Sequence, residues 1–386
     1  METIVTSRSF LQDIRCPFCQ QAYSPSIIQT YATCCNQPLI GYYQPPLLSK
    51  KMFTGRPYNM WRYAEFLPVY DPDNIVSLGE GWTPIHSLKK LSAQLGIKEL
   101  LLKDESVNPT GSFKARGLSA AISKAKELGI EHCIIPTAGN AGNAMSAYAA
   151  KAGIKATVIM PKHTPSAIKD ACSLYGAELI LLDGLIDACG KKATQLAAET
   201  GAFNMSTMKE PYRLDGKKTL GFEIAEQLNW CLPDLIIYPT GGGTGLIGMW
   251  LAFKEMHRLG WLTGKLPRMV IVQSKKCNPM IQMFESGKAP ETFMPEASIA
   301  YGLSVPYPFA KDLVQQVVLE SNGTAITITE EEMEEGIEDM AVAEGMLLSP
   351  EGSATYIGLK KLIEKDYVKE DESILLFNTG SWFNYR

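Results

Sequence analysis

Over most of the chain, short apolar runs alternate with stretches in which apolar residues recur every three or four positions. Cys-Ile-Ile-Pro-Thr from 133, Ala-Thr-Val-Ile-Met-Pro from 156 and Glu-Leu-Ile-Leu-Leu from 178 read as buried strands, and residues 143–153, 166–175 and 185–200 between and after them read as helices. The alternation resumes after Gly216, with a helix over 219–228, the strand Asp-Leu-Ile-Ile-Tyr-Pro-Thr from 234, a helix over 246–259 and the strand Met-Val-Ile-Val-Gln from 269. Crossovers of this length suit parallel pairing, so the pattern predicts an α/β fold with helices on both faces of a sheet. Further on, Thr329 stands three residues before Glu332, a capping box for an acidic helix over 330–344 whose carboxylates read as a solvated face. A last strand, Ser-Ile-Leu-Leu-Phe-Asn-Thr-Gly from 373, ends the pattern, while the first 70 or so residues are irregular and rich in Pro, Tyr and Gln, as in an N-terminal arm.

Length and charge narrow the picture. A chain of 386 residues exceeds one ordinary core and predicts two packed domains with an appendage. With 37 basic and 41 acidic side chains it carries a formal charge of −4 and no basic block to track a phosphate backbone, so nucleic acid is not an expected partner. Residues 235–253 lack any charge and approach the length of a bilayer span, but Pro239 and the glycines 241, 242, 243 and 245 would break a spanning helix, and a buried strand, turn and helix account for every position. No membrane partner is expected. The opening Met-Glu-Thr-Ile-Val-Thr-Ser-Arg lacks the charged-then-apolar pattern of an export signal, and nine scattered cysteines do not form a disulfide framework, so a cytoplasmic protein with reduced thiols is expected.

Three segments carry candidate chemistry. In Asn108-Pro-Thr-Gly-Ser-Phe-Lys114-Ala-Arg-Gly117 a single lysine lies between a Pro/Gly turn and a helix start. Alone it would pass for a surface lysine, yet an amine there can be kept from bulk water, lose its proton and attack an aldehyde. Thr137-Ala-Gly139-Asn140-Ala-Gly142 follows one strand directly and precedes a helix, where amides at the helix start can bind a carboxylate and the Asn140 amide a ring oxygen, unless Asn140 is simply a cap. Gly241, Gly242, Gly243, Thr244 and Gly245 follow another strand, and their backbone can approach a phosphate closely. The overlapping pattern from Gly243 to Gly248 also satisfies a dinucleotide fingerprint, but the acid expected about 20 residues on is missing, since that strand ends Gln273-Ser274-Lys275. A nicotinamide-dependent oxidoreductase therefore stands as the minor rival, and a nucleoside-triphosphate loop is excluded because no Gly-Lys-Ser/Thr follows.

In this order and spacing the three segments resemble the fold-type II pyridoxal-phosphate enzymes, a family that includes threonine synthase, threonine dehydratase and cysteine synthase. Ser77-Leu-Gly-Glu-Gly-Trp-Thr-Pro-Ile85 is similar to the opening signature of threonine synthases, Arg213-Leu-Asp-Gly-Lys-Lys-Thr219 to their return into the cofactor domain, and Asn378-Thr379-Gly-Ser381 to the family motif facing the pyridine nitrogen. The resemblance runs from about 77 to 381. It implies a tryptophan synthase β-like fold, two parallel-sheet three-layer domains with the cofactor in the cleft: residues 71–118 with 214–386 as the larger, 119–213 as the smaller, and 1–70 as an arm. It implies pyridoxal 5′-phosphate bound to Lys114 as a Schiff base, its ring hydroxyl at Asn140, its phosphate at the loop 241–245, and its ring nitrogen at Thr379, with Ser381 nearby. Thr137, Gly139 and Asn140 are implied for a substrate carboxylate and Arg213 for a substrate phosphate. The implied reaction is γ-elimination from O-phosphohomoserine followed by addition of water at Cβ to give threonine, in an enzyme that is a lyase and a homodimer.

Departures from that pattern bear on the substrate. Ala138 and Ala141 stand where threonine synthases often carry hydroxyls, and Trp382-Phe383-Asn384 follows Ser381 where Gly-Leu-Lys is common. A relative of the cysteate synthase or dehydratase type is the alternative. In the arm, Cys16-Pro-Phe-Cys19 has the spacing of a zinc-ribbon knuckle, whereas Cys34 and Cys35 are adjacent, an awkward way to fill two tetrahedral corners. Both a structural zinc and a metal-free ribbon remain open. The histidines 86, 132, 163 and 257 show no ligand spacing, and Cys231 and Cys277 read as buried thiols.

Overall fold

In a strand covered by helices on both sides, successive side chains must enter different cores. Leu235 and Ile237 of the run from 235 enter one apolar cluster, and Ile236 and Tyr238 enter another. The computed structural model that reveals this describes residues 9–386; residues 1–8, the start of the expected arm, lie outside the described residues.

The strands are β1 (Leu11–Arg15), β2 (Ala22–Tyr23), β3 (Ile40–Tyr43), β4 (Ile85–Ser87), β5 (Glu99–Asp104), β6 (His132–Pro136), β7 (Lys155–Pro161), β8 (Glu178–Leu182), β9 (Phe203–Asn204), β10 (Leu235–Pro239), β11 (Arg268–Ser274), β12 (Thr324–Ile328) and β13 (Ser373–Asn378). They form a six-stranded sheet in the order β12-β11-β10-β13-β5-β4 and a four-stranded sheet in the order β8-β7-β6-β9. Every pairing in these two sheets is parallel except that of the edge strand β4 with β5.

On one face of the larger sheet lie α1 (Lys89–Leu95), α10 (Glu330–Glu344) and α11 (Pro350–Glu364); on the other lie α6 (Tyr212–Gln227), α7 (Thr244–Arg258), α8 (Pro279–Ser286) and α9 (Lys311–Glu320). The smaller sheet is covered by α2 (Lys114–Glu127), α3 (Asn140–Ala152) and α4 (Ser166–Leu174) on one side and α5 (Ile186–Thr200) on the other. Both are three-layer sandwiches, as expected. The uncharged stretch 235–253 is β10, its loop and most of α7, and no helix among the described residues is long and apolar enough to cross a membrane.

Four features differ from the sequence reading. The arm is not irregular: β2-β1-β3 form an antiparallel sheet whose Leu11, Ile14 and Tyr43 join the core of the smaller sheet. Helix α6 begins at Tyr212, seven residues early, because the Glu210 carboxylate accepts from the backbone N–H groups of Tyr212 and Arg213 and so caps the turn. Cys231 is exposed, while Cys277 is buried as expected. The capping box of α10 forms, yet Glu330 on that acidic helix is buried, accepting from Ser274, Ser298 and the N–H of Ile299.

A buried ion network fixes the start of α2. Glu223 of α6 accepts from Arg116 of α2 at 2.8 Å and from Lys103 of β5 at 2.6 Å, and Arg116 also bonds Glu105 at 2.6 Å, all without solvent exposure. The same Glu223 takes the N–H groups of Trp82 and Thr83 at 2.6 and 2.8 Å. Glu80, three residues upstream, binds Trp61, Ser119 and Tyr148. The run 77–85 is thus a brace that aims α2, and Lys114 is the first residue of that helix.

Candidate active site

Four segments distant in sequence meet around one cavity of about 560 Å³ between the two larger sheets. Its wall includes Lys114, Thr137, Gly139, Asn140, the whole loop 241–245 and Thr379. Of the residues singled out from sequence, Arg213 and Ser381 do not line it.

Lys114 is half-buried, and its Nζ makes no hydrogen bond or ion pair among the described residues; the Phe113 ring centroid lies 4.3 Å away. Burial, reinforced by the nearby charge of Arg213 and opposed by Glu351, brings the amine down to about 7. Lys217 sits on the same ring at 4.0 Å and donates to the Phe113 carbonyl. Burial and the charge of Lys114 hold the Lys217 amine well below the usual lysine range.

The loop 241–245 is cut to closeness. A Cβ on Gly241 would strike the Gly302 carbonyl, one on Gly243 the Val314 side chain, and one on Gly245 the Tyr238 hydroxyl; Gly243 also has φ +79°. Only glycines fit, and the first-turn N–H groups of α7, which no helical carbonyl can accept, open toward the cavity. That arrangement suits an anion.

Asn140 is the first residue of α3, and the last residues of the chain hold its amide. Its Oδ1 accepts from Asn384 at 2.8 Å and its Nδ2 donates to the Tyr385 hydroxyl at 3.3 Å. Asn384 also donates to the carbonyls of Thr110 and Gly111, at 3.2 and 3.3 Å. Thr137 hydrogen-bonds within its own turn, accepting from the Gly139 N–H at 3.1 Å. Thr379 is buried, and its carbonyl takes the N–H of Phe113 at 3.0 Å, which ties the end of β13 to the residue before Lys114. Ser381 pairs with Gly111 and Leu348 through its backbone, outside the cavity.

Arg213 was expected to face a substrate phosphate. Its guanidinium is instead buried behind Thr207, donating to the Met205 carbonyl at 2.7 Å and to Thr207 at 3.4 Å, with Nε unpaired. It acts on the cavity as fixed positive charge, felt by Lys114. Lys191 and Lys209, neither with a carboxylate partner among the described residues, do line the cavity.

Several lining residues escaped the sequence reading, and two of them bear on a ligand directly. Glu351 and Tyr238 are each buried with an oxygen that has no hydrogen-bond partner, the Glu351 Oε2 and the Tyr238 hydroxyl. Unpaired buried polar atoms on a cavity wall mark places for a ligand's own polar groups. Together with the glycine cradle and the near-neutral amine, they fit a flat polar ring with an aldehyde and a phosphate.

In the arm, the two cysteine pairs come together. Cys16 and Cys19 lie at the turn between β1 and β2, Cys34 and Cys35 in the turn bridged by Ala32 and Gln37, and all four sulfurs lie within 4.8 Å of one another. The residue after each pair, Gln20 or Asn36, has positive φ, which bends the chain so that even the adjacent pair converges.

The family model described as pyridoxal-phosphate dependent enzyme matches residues 76–380. The chain is similar to the threonine synthase of Methanocaldococcus jannaschii, 36% identical over 341 residues that cover 86% of this chain and 82% of that protein. It is 32% identical to that of Methanosarcina acetivorans over 374 residues, covering 95% and 91%. Among solved structures it resembles maize serine racemase (TM-score 0.67, 23% identity, 77% of this chain and 87% of that one). It also resembles diaminopropionate ammonia lyase from Escherichia coli (TM-score 0.68, 19% identity, 89% and 91%).

Proposed function

The chain belongs to the pyridoxal-phosphate-dependent enzymes, within them to the threonine synthases, and from that premise we propose how its residues divide the work of making threonine. The cofactor is pyridoxal 5′-phosphate and the enzyme is a lyase. When bound, the cofactor supplies an electron sink that lets carbon–hydrogen bonds beside the amino carbon ionise.

Lys114 is the residue that holds the cofactor and moves protons. The observation that carries this is its Nζ: unpaired, facing the cavity and neutral above about pH 7, it can attack an aldehyde and later accept a proton from carbon. The loop 241–245, with Thr244, grips the cofactor phosphate, Asn140 meets the ring hydroxyl and Thr379 the ring nitrogen. Asn140 is well suited, since Asn384 and Tyr385 already fix which way its amide points. Thr137, Gly139 and Asn140 take the substrate carboxylate at the start of α3.

For the substrate phosphate we assign Lys191 and Lys209, and Arg213 becomes the buried charge that keeps Lys114 deprotonated. The donor is O-phosphohomoserine, converted by loss of phosphate from Cγ and addition of water at Cβ. Turnover with O-phosphohomoserine beside O-phosphoserine, scoring phosphate and threonine separately, tests this. Phosphate release without threonine would remove the assignment of the donor.

The glycine loop also matches a dinucleotide fingerprint, but Gln273, where an acid would be needed, is buried and spent on the Thr240 carbonyl and the N–H of Met280. For the arm we propose a structural zinc on Cys16, Cys19, Cys34 and Cys35. Thiolates about 2.3 Å from zinc stand about 3.8 Å apart in a tetrahedron, and the 4.8 Å cluster needs only a slight contraction. We further assign residues 71–118 with 214–386 and residues 119–213 as the two domains that frame the cavity, with residues 1–70 as the arm. A homodimer in the cytoplasm is the expected form, and sedimentation checks the first point.

A further inference from the structure

Glu351 lies in the first turn of α11, only 2% exposed. Its Oε1 accepts from the Gly302 N–H at 2.7 Å, and its Oε2 meets no partner in full hydrogen-bond geometry among the described residues, with the Tyr385 hydroxyl standing beside the carboxyl. Ordinary helix capping does not explain it, because Ser349 already caps α11 by accepting from Gly352 at 3.1 Å. The carboxyl belongs to the cavity wall, across from Lys114.

The reaction moves two protons, which leaves a role for a second proton-transferring group. Converting O-phosphohomoserine to threonine breaks the Cγ–O bond with its electron pair going to phosphate, removes a proton from Cβ, adds a proton at Cγ and adds hydroxide at Cβ. The departing phosphate oxygen must also gain a proton. The proton from Cβ and one from water supply the two that Cγ and phosphate receive. If the ammonium formed at Lys114 hands its carbon-derived proton on to Cγ, the departing oxygen draws its own proton from a second group.

We propose that Glu351 is a further catalytic residue, the general acid that protonates the phosphate oxygen through Oε2 as the Cγ–O bond breaks. Water adding to Cβ returns the proton to the carboxylate. This rests on the assignment of the cavity as the cofactor site made above.

The surroundings favour it. Burial raises the carboxyl above its ordinary range and so favours its protonated form, with the Tyr385 hydroxyl beside it, the Gly302 amide and the charge of Lys114 opposing that only in part. Tyr385 is itself stacked on Tyr301, with ring centroids 6.1 Å apart. Arg213 and Glu351 act on Lys114, which in turn acts on Lys217. A neutral acid also avoids repelling a phosphate dianion.

The test uses the holoenzyme and two readouts. Exchange of the Cα proton of L-alanine with D2O, followed by NMR, requires Lys114 and the cofactor but no leaving group; phosphate release from O-phosphohomoserine requires both. In Glu351→Gln, which keeps the bond from Gly302, phosphate release should fall about 100-fold, a usual general-acid contribution, with KM within threefold and exchange nearly unchanged. Glu351→Asp, which keeps the acid but withdraws it, should fall less, and decides the matter alone if the Gln variant does not fold. Phosphate release within threefold of the parent overturns the proposal, as does a parallel fall in exchange, which would make Glu351 a positioning residue for Lys114. Failure of the parent holoenzyme itself to exchange, or to retain cofactor on Lys114 after borohydride, would instead strike the cofactor assignment.

Discussion

Replacing Glu223 by Gln would show how far the site depends on its buried brace. Glu223, Glu105, Arg116 and Lys103 form a cluster of two anions and two cations closed to solvent. Glu223→Gln keeps the shape but leaves an uncompensated positive charge, and an amide NH₂ must face donors already aimed at a carboxylate, from Arg116, Lys103, Trp82 and Thr83. Breaking a fully buried pair costs about 3–5 kcal/mol. At roughly 2 °C per kcal/mol for a chain of this order, the midpoint of thermal unfolding should fall by roughly 6–10 °C. Adding Lys103→Met restores net neutrality, so the double variant should be more stable than the summed single losses by roughly 1–3 kcal/mol. The cluster also predicts acid sensitivity. Burial alone would raise the Glu223 carboxyl, but Arg116 and Lys103 outweigh it and hold it below the ordinary carboxylate range. Its stabilisation is therefore complete above that range and is lost as pH falls through the depressed folded value. Scanning calorimetry of the holoenzyme decides: a shift under about 2 °C, or strict additivity in the double variant, would refute this account.

Lys114→Ala should abolish both threonine formation and borohydride-stable attachment of cofactor, checked by mass spectrometry of the peptide carrying residue 114. Because the folded amine sits near 7 and reacts only when neutral, capture of pyridoxal phosphate by the apoenzyme should quicken about tenfold per pH unit below 7 and level off above it, measured by stopped-flow absorbance. Gly241→Ala drives a methyl group into the Gly302 carbonyl, so cofactor affinity should drop at least about tenfold while Lys114 remains competent; equilibrium titration gives the value. Cys19→Ser should release the metal and lower the melting temperature, with metal content by atomic emission as the check. Activity should weaken too, since Tyr31 of the arm packs on Phe309 of the cavity wall at 5.6 Å.

Much of this was legible in the sequence for definite reasons. Runs such as Leu-Ile-Ile-Tyr-Pro are apolar at every position because both faces of β10 are covered, and glycines at 241, 242, 243 and 245 have few uses besides close approach to a ligand. Lys114 stood out through its neighbours in sequence. Contacts between remote segments were not legible. Ser-Pro-Glu before an apolar helix looks like an ordinary helix start, so nothing local distinguished Glu351 from a solvated first-turn acid. Tyr385 carries no local signal that it meets Asn140. Arg213 carried the right chemistry for phosphate, but whether a guanidinium meets a cavity or a carbonyl behind it depends on how α6 starts, and that was set by Glu210. The adjacent cysteines 34 and 35 seemed ill placed until the left-handed turn at Asn36 appeared.

The position of β13 has a consequence for biosynthesis. This strand follows the other five of the larger sheet in sequence, yet it lies between β10 and β5 in the middle of that sheet, with Thr379 at its end and Asn384 and Tyr385 just beyond. Until residues 373–385 have left the ribosome, β5 and β10 have no neighbour between them, and the amide of Asn140 is unheld. A chain cut short before residue 373 would therefore fail to retain the vitamin, and colour in the purified protein doubles as a sign that translation passed through this strand and the residues that hold Asn140.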